Sequence, residues 1–302
     1  MTGMRVEVAL HIPTILGEGP LWSAQEGVLY WLDIFRPAIH RFDPRTGKNE
    51  ASPVPEPIYA LGLSRGGGFV AGLESGFATI DRSLRSLTYL CNPNSGDEVN
   101  FNDGKVDRRG RFWSGTMARD WESPIGRLYR LDGDGKARAM DDDIVLSNGL
   151  GWSPDDRRMY FTDFKRSTIF AYDFDADAGR IANRRPFIVF KDGDGFPDGM
   201  TVDAEGHLWV AHWDGWCVTR HDPDGTEVLR VAFPVPRPTA VAFGGNRLDT
   251  LYVTSATMHL TEKQLADAPL SGALFRLAAG VVGLPEPNFE GADPATARAC
   301  DS

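Results

Sequence analysis

Several protein classes are excluded by what the chain lacks. No uninterrupted apolar segment among its 302 residues reaches membrane-spanning length, and residues 1–10 have no basic stretch followed by an apolar core, which predicts a cytoplasmic protein with no membrane partner. There are three cysteines, Cys91, Cys217 and Cys300. They are far apart and form no C-x-x-C, so a disulfide framework and a thiolate zinc site are both set aside and the thiols read as isolated and reduced. The six histidines show no H-E-x-x-H or other tight ligand spacing, and there is no G-x-S-x-G nucleophile elbow. Gly66-Gly67-Gly68 lacks the Gly-Lys-Ser/Thr of a phosphate loop and reads as a hairpin turn. The 32 Lys and Arg are scattered among 42 Asp and Glu, for a net charge of −10, so the electrostatic footprint of a nucleic-acid partner is missing. A metal ion or a neutral or cationic small molecule suits that balance better. Helical periodicity is nearly absent; the one helical expectation is a short surface helix over residues 260–268, with Thr261 as its cap.

A repeat is present instead. An apolar or aromatic pair recurs at Tyr30-Trp31, Phe69-Val70, Phe112-Trp113, Tyr160-Phe161, Leu208-Trp209 and Leu251-Tyr252, at intervals of 39, 43, 48, 48 and 43 residues. Each copy is trailed by a second strand-like run that mostly closes in an Asp-Pro, Asp-Gly or Thr-Gly turn, as in IHRFDPRTGK and CVTRHDPDGTEV. That period is one four-stranded blade per repeat, and six blades account for nearly the whole chain. The expected fold is therefore an all-β, six-bladed β-propeller, one domain over residues 1–302. Residues 6–10 would join the last blade to close the ring, because an unclosed edge invites aggregation, and residues 286–302 would form a loose tail.

Upstream of four of the aromatic pairs, where the innermost strand of a blade begins, stand matched polar phrases. They are EGPLWS from Glu18, NDGKVD from Asn102, NGLGWS from Asn148 and DGMTVD from Asp198. The other two entrances, around Tyr59 and Thr239, offer no carboxylate or carboxamide and read as walls. Asn-Gly and Asp-Gly are ordinary turn dipeptides taken singly; four at equivalent positions facing one axis are a constellation. Two carboxylates and two carboxamides are an all-oxygen donor set of charge −2, with no Lys or Arg at the matching positions, which favours calcium, magnesium, manganese or another divalent ion in the central channel.

The phrases GEGP, FNDGKVD followed by GTM, SNGLGWS, and PDGM followed by DAEGHLWVA resemble the regucalcin and gluconolactonase family of six-bladed propellers, a likeness that runs from Gly17 to the LYVTSA segment at Leu251. The resemblance implies a sugar lactonase acting on a gluconolactone, xylonolactone or arabinolactone type of substrate. It also implies one divalent ion (calcium, zinc, manganese, magnesium or iron(II)) bound by Glu18, Asn148 and Asp198, with Asp198 also moving a proton. Asn102 matches a substrate-side residue. Asn100 stands where animal members have Arg and Asp120 where they have Glu, so Asn100, Asn102 and Asp120 are expected to orient the sugar hydroxyls. A carboxylate that donates to a divalent ion is a weakened base, so a metal-bound water or Asp103 is the alternative for the proton transfer, and Tyr59 and Trp213 are candidate pocket walls. Three rivals share the fold: hydrolysis of another ester or a phosphotriester at the same metal, a calcium-binding regulatory protein without turnover, and an interaction scaffold. The last has no need of acids and amides at four entrances.

Overall fold

The structure, a computed structural model, describes residues 4–94 and 98–291. Cys300 and the part of the expected tail from residue 292 onward lie outside the described residues. Among the described residues the chain forms six four-stranded antiparallel sheets and one short helix. After β1 (Glu7–Leu10), blade 1 is β2 (Gly17–Ser23), β3 (Val28–Asp33), β4 (Ala38–Asp43) and β5 (Lys48–Pro53). Blade 2 is β6 (Ile58–Leu63), β7 (Phe69–Leu73), β8 (Gly76–Ile80) and β9 (Leu87–Cys91), and blade 3 is β10 (Val99–Val106), β11 (Phe112–Ala118), β12 (Gly126–Leu131) and β13 (Ala137–Ile144). Blade 4 runs β14 (Ser147–Trp152), β15 (Arg158–Asp163), β16 (Thr168–Asp175) and β17 (Arg180–Val189). Blade 5 runs β18 (Phe196–Val202), β19 (Leu208–Trp213), β20 (Cys217–His221) and β21 (Glu227–Ala232). Blade 6 is β22 (Pro238–Gly244), β23 (Thr250–Ser255) and β24 (Leu274–Ala278), completed by β1 on its outer edge with Glu7 opposite Arg276 and Val8 opposite Phe275. Ring closure by the N-terminal strand is thus as the sequence predicts. The helix α1 (Glu262–Asp267) lies between β23 and β24, and Thr261 and Gln264 form the capping box at its start.

Position in the blade decides the sequence of each strand. Second strands are sandwiched between neighbouring blades on both faces, so β3, β7 and β11 are buried at every residue, and each carries its apolar pair where packing is tightest. Outer strands meet water, and β5 and β17 are mostly exposed. Blades adhere through aromatic contacts such as Tyr30 on Phe69, with ring centroids 4.8 Å apart, and Trp113 edge-on to Trp152 at 6.3 Å. The six innermost strands pack against one another in order, β2, β6, β10, β14, β18, β22 and back to β2, and enclose the channel.

One expectation fails in an informative way. Residues 286–291 are not loose; they continue a strap that crosses the foot of the channel. Gly283 pairs with Asp203 of blade 5 and its N–H donates to the Leu248 carbonyl of blade 6 at 2.7 Å. At the far end the Phe289 N–H donates to Leu63 O of blade 2 at 2.7 Å, and the Glu290 N–H to Gly110 O of blade 3 at 2.9 Å. Phe289 is 1% exposed and packs into the cluster that holds blades 1 to 3 together, while Glu290 pairs with Arg65 at 2.7 Å. A Pro- and Gly-containing polar segment looks unstructured in isolation, but one buried phenylalanine and successive backbone hydrogen bonds suffice to hold it. Phe289→Ala should therefore cost about 3 kcal/mol. A thermal melt should show a drop of several degrees; a shift within about 1 °C would mean that the strap contributes nothing to the ring.

Candidate active site in the channel

Every innermost strand breaks register at the same place. The irregularities fall between Glu18 and Leu21, Ile58 and Ala60, Phe101 and Gly104, Ser147 and Leu150, Pro197 and Met200, and Pro238 and Val241. A bulge leaves residues without a ladder partner and re-aims their side chains. Here the residues at or within the breaks include Glu18, Tyr59, Asn102, Asn148, Asp198 and Thr239, one from each blade. The glycines beside them are strand residues, not turn residues. A Cβ on Gly149 would meet Met200 N at 2.6 Å, and one on Gly199 would meet the Ala240 Cβ at 2.5 Å, so the Asn-Gly and Asp-Gly pairs exist because neighbouring inner strands approach too closely for any side chain.

Two buried aspartates set the entry to the site strands. Asp33, at the end of β3, accepts the N–H groups of Ile15 and Leu16 at 3.2 and 3.3 Å, just ahead of Glu18. Asp163, at the end of β15, accepts those of Val145 and Leu146 at 3.1 and 3.3 Å, just ahead of Asn148. Sequence reasoning passed over both, although a signal was there: each stands two residues beyond its aromatic pair, in YWLDIFR and YFTDFKR.

Cavities open on both sides of the bulges. The upper, of about 210 Å³, is lined by Glu18, Asn102, Asn148 and Asp198 from the inner strands, with Tyr59 and Trp213 among its walls. The lower, of about 30 Å³, lies past the bulges and is bordered by Asp103, Lys105 and, from the strap, Glu286 and Pro287. The four residues with matched phrases thus come together. Asn102 Nδ2 donates to Ser147 O at 2.6 Å, which leaves its Oδ1 as the free group, and the Asn148 side chain hydrogen-bonds Asp198. Asn100 and Asp120 do not line the cavity. Asn100 is buried before the bulge and donates to Phe101 O at 2.9 Å. Asp120 is turned into its own exposed loop, where the Ser123 hydroxyl and the N–H groups of Glu122 and Ser123 hold its carboxyl down at about 2.

Burial, then the negative charges of Asp198 and Asp103, push the Glu18 carboxyl well above its usual range. Burial and the charge of Asp103 push Asp198 the same way, opposed by the Asn148 hydrogen bond, and Asp103 itself rises to about 6 through burial, opposed by Lys105. No cluster of three His, Cys, Asp or Glu suited to a metal occurs among the described residues. The donor set is instead mixed: two carboxylates that repel one another, and carboxamide oxygens. A divalent cation fits it, because positive charge between Glu18 and Asp198 relieves both the desolvation and the repulsion, and oxygen donors suit a hard ion.

These features define a class: a six-bladed propeller whose bulged inner strands converge oxygen donors at the floor of a cavity. The chain belongs to the SMP-30/gluconolactonase/LRE-like family, whose model matches residues 16–257. It is 40% identical to a 6-deoxy-6-sulfogluconolactonase of Pseudomonas putida, over 92% of this chain and 96% of that one. It is 37% identical to a pentonolactonase of Haloferax volcanii, over 90% and 93%. A crystal structure of regucalcin from Agrobacterium tumefaciens, described as a calcium-binding protein, superposes with a TM-score of 0.91 at 30% identity, covering 95% of this chain and 98% of that one.

The raised carboxyls have a measurable sign. A group whose folded value lies above its unfolded one stabilises the fold below the unfolded value, and that stability is lost as pH rises through the folded value. In the metal-free protein, Glu18→Gln should raise the melting temperature by a few degrees, at about 2–4 °C per kcal/mol. The advantage over wild type should widen from about pH 5 to pH 8 as the wild-type carboxylates are forced to ionise. Adding a divalent ion should reverse it, stabilising wild type more than the variant.

Proposed function

We propose that the chain hydrolyses sugar lactones to aldonic acids, assisted by one divalent ion held by Glu18, Asn148 and Asp198. The observation that carries this reading is the convergence of those three residues and Asn102 on one small cavity, in a chain whose relatives are named lactonases. At about 210 Å³ the cavity falls below the 300–1,000 Å³ or so of drug-sized pockets and suits a single sugar ring. Calcium is the first ion to test, since the donors are all oxygen and regucalcin is described as calcium-binding.

Held by Glu18, Asn148 and Asp198, a divalent ion would supply positive charge to offset the oxyanion that attack of water creates on the lactone carbonyl. Asp198 then has the proton work: its carboxylate accepts a proton from the attacking water and returns it to the ring oxygen as the ester C–O bond breaks. Asp198 is favoured over Asp103 because Asp198 lines the substrate cavity and Asp103 borders the lower one. The free Oδ1 of Asn102 accepts a hydrogen bond from a sugar hydroxyl. Asn100 and Asp120, which the cavity excludes, take no part in this reading.

Chelator-stripped protein should show no lactone hydrolysis above the spontaneous rate in a pH-stat, and a divalent ion should restore it. Glu18→Ala should abolish the restoration. Asp198→Asn should lower kcat by about 100-fold or more, the scale of a lost acid–base group and a weakened metal site together. Metal binding without turnover of any lactone or ester would leave a metal-binding protein in place of an enzyme.

A further inference from the structure

The upper cavity has a second polar element, at its mouth. Among the described residues that line it, Lys165 is the one Lys or Arg, carried by the turn between β15 and β16 directly after Phe164. Around it the wall is apolar: Phe35, Trp121, Phe164, Phe196, Trp213 and Met258. The Lys165 side chain is one-third exposed, and the counter-charge nearest its ammonium is Glu122 at 4.0 Å, beyond hydrogen-bond reach, on a side chain 80% exposed. An ammonium at the mouth of this cavity with so distant a partner is open to a closer one, and an anion that reached it would gain a charge-assisted contact. Glu122 can yield to such an anion, since little besides water holds it.

We propose that Lys165 reads an anionic substituent, a sulfonate, phosphate or carboxylate, on the part of the lactone remote from its carbonyl. The inference rests on the lactonase reading above. With a divalent ion on Glu18 and Asp198, the charges of the cavity reduce to the single positive charge of Lys165, in a chain whose net charge of −10 would otherwise repel an anion. A neutral lactone offers that ammonium no counter-charge; an anionic one does. Lys165 would thus set substrate choice while the inner strands hold the chemistry.

The test compares kcat/KM of the calcium-loaded protein on gluconolactone and on its 6-phosphate and 6-sulfonate analogues, for wild type, Lys165→Met and Lys165→Arg. Wild type should prefer at least one anionic lactone by about 10-fold or more, the scale of a charge-assisted contact, and the preference should shrink as ionic strength rises. Lys165→Met should collapse that ratio and Lys165→Arg should keep most of it. A ratio near one in wild type, or a ratio that survives Lys165→Met, overturns the proposal. Calorimetric binding of 6-phosphogluconate against gluconate separates this failure from failure of the lactonase reading. If no lactone is turned over, Lys165-dependent binding of the phosphorylated acid still upholds the anion site, and equal binding by wild type and Lys165→Met ends it.

Discussion

Three carboxylates, Glu18, Asp103 and Asp198, crowd the axis of the ring; burial drives each toward its neutral form, and neighbouring negative charge adds to it at Glu18 and Asp198. Side chains free to relax would move apart. They are kept together because the backbone that carries them is fixed at several points: Asp33 and Asp163 hold the segments leading into β2 and β14, and the glycines of β14 and β18 let those strands seat against their neighbours. The electrostatics extend downward as well. Lys105, which opposes the rise at Asp103, stands 3.7 Å from Glu286 of the strap. The segment that seals the foot of the channel therefore belongs to the charge balance of the site above it.

Six equivalent bulges explain how one fold holds such a site and can vary it. A regular strand would present alternate residues to the two faces of the blade and none along the axis. By breaking register at the same level in each blade, the ring gains six positions that differ only in side chain. Glu18, Asn102, Asn148 and Asp198 fill four of them. Tyr59 forms wall, and Thr239 is satisfied internally, its hydroxyl donating to Gly17 O and sharing a hydrogen bond with Thr254. Changing the chemistry of the axis requires only side-chain substitution at these positions, with the blades left intact.

The fold was almost fully legible in the sequence because propeller blades repeat their burial. A second strand that is buried on both faces needs large apolar side chains at its centre wherever it recurs, and the apolar or aromatic pairs mark it six times. The four polar entrances were legible for the same reason, although their Asn-Gly and Asp-Gly pairs looked like turns and prove to be close approaches within strands. What escaped was whatever depends on register and on non-repeating contacts. Asn100 lies two residues from Asn102, yet the bulge between Phe101 and Gly104 sends the two side chains to different surroundings. Asp120 follows the aligned GTM phrase, but its loop folds back so that its carboxylate serves Glu122 and Ser123. The strap contributes no repeat, so nothing in the pattern distinguished residues 286–291 from a loose end.

The channel is asymmetric, and the asymmetry bears on function. Below the bulges the strap closes the path, leaving small cavities of about 30 and 40 Å³, each room for one or two waters. Above them the cavity is several times larger, about 210 Å³, and its rim is built by loops from several blades. Trp121 of blade 3 and His259 of blade 6 come from opposite sides of the ring, and their rings meet edge to face at 6.1 Å over that rim. A ligand larger than water therefore reaches the axial carboxylates through the rim alone, past side chains that the inner strands do not specify. Inner strands are constrained by packing on both sides, whereas rim loops can change length and composition without disturbing the blades. The acids and amides of the axis thus stand on a backbone that packing fixes, while the loops that govern entry to the cavity stand on one that it does not.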